Sequence, residues 1–281
     1  MLWRGREGSD NVEDRRGMSG GGMAVGGGIG GIVIYLLYML LGGNPDNAPA
    51  LLPGQQGSSS QQSTREKSPG DDTLAQFTSV VLKDTEDVWG KLLNGYRKPR
   101  LVMFTDAVQS ACGSANAAVG PFYCPGDSKV YIDLSFFRLM KERFGATGDF
   151  AMAYVIAHEV GHHIQNLMGT SDKVHSLQQQ SGEKAGNKLS VKLELQADFY
   201  AGVWAHHAQQ MKNILQPGDI EEALVAANAI GDDKLQQESQ GQVVPDAFTH
   251  GTSKQRMYWF KKGFETGDMN LGNTFEDAGL R

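Results

Sequence analysis

A long uncharged run near the start of the chain does more than any other feature to limit its possible architecture. No charged residue occurs between positions 17 and 45, and the stretch "IGGIVIYLLYMLLGG" (29–43) within it is strongly apolar. The uncharged segment 24–43 is long enough to cross a bilayer as a helix, which takes roughly 20 residues. We therefore expect a transmembrane helix over residues 24–43.

The charges on either side of this run predict its orientation. Arg15 and Arg16 precede it, and Asp46 follows it. By the positive-inside rule, residues 1–23 form a cytoplasmic segment, and the chain after Asp46 lies outside the cytoplasm. The sequence thus predicts a single-pass protein of the inner membrane whose main domain faces the periplasm.

Two other interpretations of the apolar run remain open. A secretory signal would be cleaved after "APA" (48–50), although the polar leader before the run is long for a signal. A buried core helix would need apolar cover all round, which residues 44–72 do not offer. Those residues are rich in Pro, Gly, Ser and Gln, a composition that predicts a flexible linker. We expect the folded domain to occupy residues 73–281.

The residue pattern of this domain predicts a mostly helical α+β fold with a small sheet. Apolar residues at helical spacing predict a helix in "DTLAQFTSVVLKDTEDVWGKLL", and β-branched and aromatic residues predict strands at 100–105 and 129–137. Further helices are predicted at about 149–168, about 188–212 and about 219–239 with a break at Gly231, and a last one begins near Thr252 or Ser253.

Composition excludes some classes of function. The net charge is −6, and no cluster of Lys and Arg interleaved with aromatic residues occurs, so nucleic acid is not an expected partner. Only two cysteines are present, which argues against an iron–sulfur cluster or an all-cysteine zinc site.

The stretch "AYVIAHEVGHHIQNLMG" (153–169) places titratable side chains in a run that otherwise has the pattern of a buried helix. Burying such groups is costly unless a partner compensates them. His158 and His162 are four residues apart, so their rings share one helix face and suit two ligands of one Zn²⁺. Glu159 completes the H-E-x-x-H arrangement of zinc peptidases, in which the glutamate is the general base. An exposed histidine-rich face is the alternative, and the apolar neighbours argue against it.

A catalytic zinc site also needs a third protein ligand and an open position for water. In "VKLELQADFYAGVWAHH", Glu194 and Asp198 are four residues apart and share one face of a second helix. We expect Glu194 to be the third ligand and Asp198 to orient a zinc-bound histidine through its other ring nitrogen. A solvated acidic face is the alternative, and the apolar residues around both acids disfavour it.

Several segments together resemble one family. "AHEVGHHIQ", "LELQADFYAGVW", "CGSANAAVGPFYCPGDSKVYIDLSFF", "VVPDAFTHGTSKQR" and the N-terminal "GREGSDNVEDRR" are similar to the neutral zinc metallopeptidases of bacteria. The resemblance covers most of the chain, with the linker as the variable part. It implies a single-pass membrane protein with a zincin-like domain, the zinc ligands His158 and His162, and a catalytic Glu159. The E-x-x-x-D pattern of Glu194 and Asp198 is similar to that of gluzincin peptidases, whose third ligand is this glutamate.

Cys112 and Cys124 allow two interpretations. Outside the cytoplasm they can form a disulfide, which would brace the loop before the strand at 129–137, whereas in the cytoplasm they would be free thiols. By analogy with zincins, an edge strand near the metal can pair with an extended peptide substrate.

His250, in "FTHGTSKQR", is a further candidate for the site. It can donate a hydrogen bond to the oxyanion of a tetrahedral intermediate, or it can simply pack. The surrounding pattern resembles a T-H-x-x-x-x-x-R element of some membrane gluzincins, which implies a supporting role for Arg256.

These patterns predict a membrane-anchored zinc peptidase that hydrolyses peptide bonds in protein substrates. Two other classes remain open. One is a catalytically silent module that keeps a structural zinc and binds partner proteins at the membrane. The other is a zinc-free scaffold whose histidines only pack. Neither explains Glu159, since neither needs an acid beside a metal.

Overall fold

A small mixed sheet and a group of packed helices make up the part of the chain that this computed structural model describes, residues 1–17 and 69–276. The strands are β1 (Val12–Asp14), β2 (Arg100–Phe104), β3 (Ala107–Ser110), β4 (Gly113–Asn116), β5 (Phe122–Cys124) and β6 (Lys129–Asp133). The α-helices are α1 (Pro69–Leu92), α2 (Ser135–Phe144), α3 (Asp149–Leu167), α4 (Thr170–Gln179), α5 (Glu183–Lys212), α6 (Asp219–Ala229), α7 (Asp232–Gln240) and α8 (Ser253–Thr266). The predicted α+β class, mostly helical, is confirmed.

The main sheet has four strands in the order β1-β2-β6-β5. Strands β1, β2 and β6 are parallel, and β5 runs antiparallel to β6. Strand β6 is therefore an interior strand, and the two edges of the sheet are β1 and β5, neither of which was predicted from the sequence. Strands β3 and β4 form a separate antiparallel hairpin.

The predicted strand 129–137 is shorter in the structure, because a helix replaces its last part. Strand β6 ends at Asp133, and α2 begins at Ser135. The Asp133 carboxylate accepts the backbone N–H of Ser135 at 2.9 Å, a local turn that competes with continued strand pairing.

The helices α3, α5 and α8 form the centre of the core, and glycines set how closely they approach. A Cβ at Gly161 of α3 would lie 2.9 Å from the backbone oxygen of Ala197 in α5. At the crossing of α5 and α8, a Cβ at Gly202 would lie 2.1 Å from the oxygen of Phe260. Only glycine permits these distances, so the sequence places the backbones of α3 and α5 in direct contact.

Two helices differ from the prediction. Helix α5 begins at Glu183, before the predicted start near 188, and α4 occupies a polar stretch in which no helix was predicted. The predicted break in the helix at 219–239 is confirmed, since Gly231 separates α6 from α7. Thr252 is the N-cap of α8 and forms a capping box with Gln255.

Residues 1–17 are part of the same packed unit as residues 69–276, which corrects the predicted division of the chain. Strand β1 pairs with β2, and the Trp3 side chain is buried against Phe77. Residues 1–23 were expected to be a separate segment, but their described part belongs to the domain core. The domain resumes at Pro69, inside the predicted linker 44–72, with the first turn of α1.

Nothing in the two described ranges forms a helix both long and apolar enough to span a membrane. The predicted span 24–43 and most of the predicted linker lie outside the described residues, so both stay predictions.

Candidate metal centre

His158 and His162 lie one turn apart on α3, as their spacing predicts, and their ring centroids are 4.8 Å apart. Helix α3 is buried along most of its length, so both rings are held inside the domain. Water reaches only a small part of each side chain, 7% for His158 and 20% for His162.

Glu194 of α5 faces both rings. Its Oε2 lies 3.1 Å from His158 Nε2, and its Oε1 lies 3.4 Å from His162 Nε2. The three donor atoms lie within 4.8 Å of one another, close enough for a single ion to bind all of them. The close contact of α3 and α5 at Gly161 brings this carboxylate to the histidines.

The outer nitrogen of each ring is held by a hydrogen bond. His158 Nδ1 lies 2.8 Å from Asp198 Oδ1, the contact expected for Asp198, and His162 Nδ1 lies 2.9 Å from Gln165 Oε1. Because both acceptors are oxygens, each Nδ1 donates its proton, so Nε2 is the nitrogen that carries the lone pair once the ring is neutral. Two imidazole nitrogens and one carboxylate oxygen are a donor set that suits Zn²⁺ with a fourth position open.

Asp198 is fully buried and is compensated by several partners. Arg256 donates to it from Nε at 2.8 Å and from Nη2 at 3.0 Å, and the Tyr154 hydroxyl donates at 2.5 Å. Burial raises the pKa of Asp198, but Arg256 and His158 outweigh that effect and lower it to about 2. The supporting role implied for Arg256 is therefore electrostatic. Its guanidinium keeps the Asp198 carboxylate, which accepts from His158, ionised.

The protonation of the site depends on the same contacts. Although burial lowers the pKa of His162, the carboxylate of Glu194 raises it to about 9. Burial raises the pKa of Glu194, but His162 and His250 lower it below its usual value. A metal ion must therefore displace a proton from His162, because only the neutral imidazole is a ligand.

Glu159 lies beside the three donors without joining them. Its side chain is buried, and its carboxylate has no hydrogen bond within the described residues. Burial raises the pKa of Glu159, against the lowering effect of His158 and His162. The group lines the same cleft as the donors and is free to bond a molecule there.

His250 also faces the site, and Asp232 fixes its position. The Nδ1 of His250 lies 3.2 Å from Asp232 Oδ1. Asp232 Oδ2 accepts the backbone N–H groups of Thr249, His250 and Gly251 at 2.7, 2.6 and 3.0 Å. Burial lowers the pKa of His250, but Asp232 and Glu194 raise it overall.

The donors open into a cleft of about 670 Å³ with two kinds of wall. Arg256 is the only Arg or Lys that lines it among the described residues, and it is bound to Asp198. Four acids line the cleft: Glu159, Asp172, Glu194 and Asp232. The apolar wall includes Phe122, Phe136, Phe144, Val155, Ile230 and Leu235.

Sequence comparison matches one family over most of the chain. The family model described as "Putative neutral zinc metallopeptidase" matches residues 1–275. The Escherichia coli K12 protein "Uncharacterized protein YpfJ" is 52% identical over 285 aligned positions, which cover 98% of this chain and 99% of that protein. "Uncharacterized protein Rv2575" of Mycobacterium tuberculosis H37Rv is 44% identical over 203 positions, 69% of this chain and 68% of that protein. No solved structure gives a significant match.

The chain belongs to this zinc metallopeptidase family. The match begins at residue 1, so the family pattern includes the N-terminal segment that the structure packs against the domain. The family description names zinc, which is also a metal that the donor set suits.

Next to the cleft of this metallopeptidase-family domain lies the edge strand β5. Tyr123 of β5 lines the cleft, and its hydroxyl lies 2.9 Å from His163 Nδ1. The other nitrogen of His163 lies 2.6 Å from the backbone oxygen of Arg97. The third histidine of the "HEVGHH" stretch therefore supports β5 and points away from the three donors.

Cys112 and Cys124 form a disulfide, one of the two states that the sequence left open. Cys124 is the last residue of β5, and Cys112 lies in the turn between β3 and β4. The bond ties the β3–β4 hairpin to the strand beside the cleft.

Two residues of the site were missed by the sequence analysis. Gln165 follows His162 by three residues, so helical spacing could have indicated it, but glutamine is common on helices and carries no specific signal. Asp232 is the first residue of α7, and its bond to His250 joins positions 18 residues apart. Only the tertiary structure reveals this second contact.

Proposed function

We propose that this protein is a zinc-dependent peptidase with His158, His162 and Glu194 as zinc ligands and Glu159 as the general base. One observation carries the proposal: three donor atoms from two helices converge, and each imidazole has its outer nitrogen held by a separate acceptor. A helix surface that merely packs its histidines has no need of this arrangement.

Zinc bound there would lower the pKa of a water molecule from 15.7 toward roughly 7 and polarise a substrate carbonyl. The residues of the chain do the remaining work. Glu159 accepts the proton of the attacking water, because its carboxylate lies beside the donors and has no competing hydrogen bond in the described structure. The same group then delivers the proton to the leaving amine.

His250 donates a hydrogen bond to the oxyanion that forms on the substrate. The contacts with Asp232 hold its ring toward the cleft, and the raised pKa of His250 favours the protonated, donating form. Asp232 is in this respect a positioning residue.

The cleft suits an extended, uncharged or apolar stretch of polypeptide. Within the described residues strand β5 pairs only with β6, so its other side has backbone groups that can pair with a peptide. Apolar side chains can contact the apolar wall, whereas the four acidic residues disfavour acidic substrates.

We also propose that the protein is associated with the inner membrane through residues 24–43 and works outside the cytoplasm. The disulfide between Cys112 and Cys124 supports an oxidising compartment.

The test compares the wild type with Glu159→Gln, which keeps the shape of the side chain and removes the base. Both proteins should bind one zinc, measured by metal analysis, and only the wild type should digest a denatured protein. Loss of a general base typically lowers the rate by roughly 10²–10⁴. Equal digestion by the two proteins would refute the catalytic assignment. Zinc without digestion in either protein would support the silent binding module instead.

A further inference from the structure

The N-terminal segment is bound into the domain by apolar burial and backbone contacts. Trp3 is 8% exposed, and its ring packs edge-on against Phe77 at 5.4 Å between centroids. The backbone N–H of Leu2 donates to the Ile214 oxygen at 2.7 Å. These contacts join the segment to α1 and to the loop after α5.

Two buried carboxylates of α1 depend on the segment. Ser9 Oγ and Asn11 Nδ2 donate to Glu86 Oε1 at 2.6 and 2.7 Å, and Arg6 forms an ion pair with Asp84. The side chains of Asp84 and Glu86 are each only 1% exposed. Removal of the segment would leave buried charges with fewer partners, which is strongly unfavourable.

The segment also completes the sheet. The Leu101 N–H donates to the Asn11 oxygen at 2.9 Å, and the Arg15 N–H donates to the Met103 oxygen at 2.8 Å. Glu13 lies 2.9 Å from Lys129 and 3.1 Å from Arg100, so it connects β1 to its neighbour β2 and to the next strand, β6. Without β1, strand β2 would become an unpaired edge.

The chain leaves and re-enters the domain at neighbouring points. Arg16 Nη2, one residue before the chain leaves the described range at Gly17, lies 3.6 Å from Asp72 Oδ1, near the start of α1. The points at which the described chain stops and resumes are therefore close together on the domain surface.

We infer that residues 1–17 and residues 69–276 lie on the same side of the membrane. A single crossing over residues 24–43 would place them on opposite sides and break every contact described above. A second crossing would have to use residues 44–68, which carry four charged residues and are rich in Pro, Gly, Ser and Gln. Such a sequence is a poor membrane span. The inference replaces the predicted placement of residues 1–23 on the opposite side of the membrane from the domain, and it does not depend on peptidase activity.

Thiol labelling of the full chain tests the inference. The two native cysteines are joined in a disulfide, so a single added cysteine gives an unambiguous signal. Asp10→Cys places a thiol at an exposed position of the N-terminal segment, and Lys141→Cys places one at an exposed position of α2. Glu7→Cys is a second exposed N-terminal probe. Each variant should keep the wild-type melting temperature.

A membrane-impermeant maleimide is added to spheroplasts of a bacterial host, before and after detergent permeabilisation. We expect the N-terminal and domain thiols to give the same labelled fraction, either both before permeabilisation or both only after it. Labelling of one thiol in intact spheroplasts and of the other only after detergent would overturn the inference, because the two regions would then be separated by the bilayer.

Discussion

Two clusters among the described residues have the spacing of a metal site, and the comparison shows what spacing alone does not decide. The first is the candidate metal centre of His158, His162 and Glu194. The second, which we call the acidic cluster, consists of Asp149, Asp219 and Glu222. Both bring three potential ligand atoms within 4.8 Å of one another.

The partners of the two clusters differ. Asp149 and Asp219 both bind the amino group of Met1, at 3.2 Å for Asp219, and Glu222 accepts the Phe150 N–H at 3.1 Å. The acidic cluster therefore already contains a cation, and its acids lie at the first turns of α3 and α6, where the helix dipole favours them. In the candidate metal centre the hydrogen bonds to Asp198 and Gln165 lie behind the two rings, and the Nε2 atoms face the Glu194 carboxylate. The direction of the surrounding hydrogen bonds thus separates a ligand set from a structural ion pair.

The largest effect should be on bound zinc. His158→Ala removes one of three protein ligands and should abolish zinc binding, whereas Asp219→Asn in the acidic cluster should leave the zinc content unchanged. Metal analysis of both purified proteins measures the difference. Retained zinc in His158→Ala, or its loss in Asp219→Asn, would reverse our assignment of the two clusters.

The next effect is on stability, through the charge buried behind the metal centre. Arg256→Met leaves Asp198 ionised and poorly compensated, and a broken buried pair typically costs roughly 3–5 kcal/mol of unfolding free energy. Urea unfolding monitors the change, with the exposed Lys261→Met as the matched control. The double variant Asp198→Asn/Arg256→Met should recover part of the loss. Equal unfolding midpoints for Arg256→Met and the control would show that the pair is unimportant.

A smaller effect is expected on zinc affinity when the histidine acceptor is weakened. Asp198→Asn keeps an oxygen near His158 Nδ1 but removes its charge, so zinc affinity should fall by roughly 10–100-fold. Competition with a chelator measures this affinity, and the exposed Asp246→Asn is the control. Unchanged affinity in a folded Asp198→Asn protein would limit Asp198 to a structural role.

The smallest effect concerns the acidic cluster and depends on pH. Burial, with Asp219 and Asp149 nearby, raises the pKa of Glu222 above its usual value. The folded protein then binds a proton more tightly than the unfolded chain, so stability falls as pH rises through the raised pKa. Glu222→Gln should therefore be more stable than wild type at pH 7, by less than about 1 kcal/mol because the group is partly exposed. Melting temperatures of the two proteins should converge below the unfolded pKa. A larger difference in melting temperature between the two proteins at acidic pH than at neutral pH would contradict the predicted direction of the pH dependence.

Helical spacing predicted several residues of the candidate metal centre but not the residues that contact them. The i, i+4 pairs His158–His162 and Glu194–Asp198 each share one helix face regardless of the rest of the fold. That each pair lies on one face could therefore be predicted from the sequence. Gln165 and Asp232 could not, because their roles depend on which residues lie opposite them after folding. The N-terminal segment was misassigned for a related reason. Its polar sequence gave no sign that Ser9 and Asn11 bind a buried carboxylate of α1.

The sequence by itself determined the α+β class, most of the helices, the two cysteines able to pair, and the faces that carry the titratable side chains. These properties follow from periodicity and composition, which act over a few residues. Tertiary structure alone decided that Asp232 holds His250, that β5 is the edge beside the cleft, and that residues 1–17 complete the sheet. Each of these contacts joins distant positions, and its free energy depends on packing and desolvation that exist only once the chain has folded.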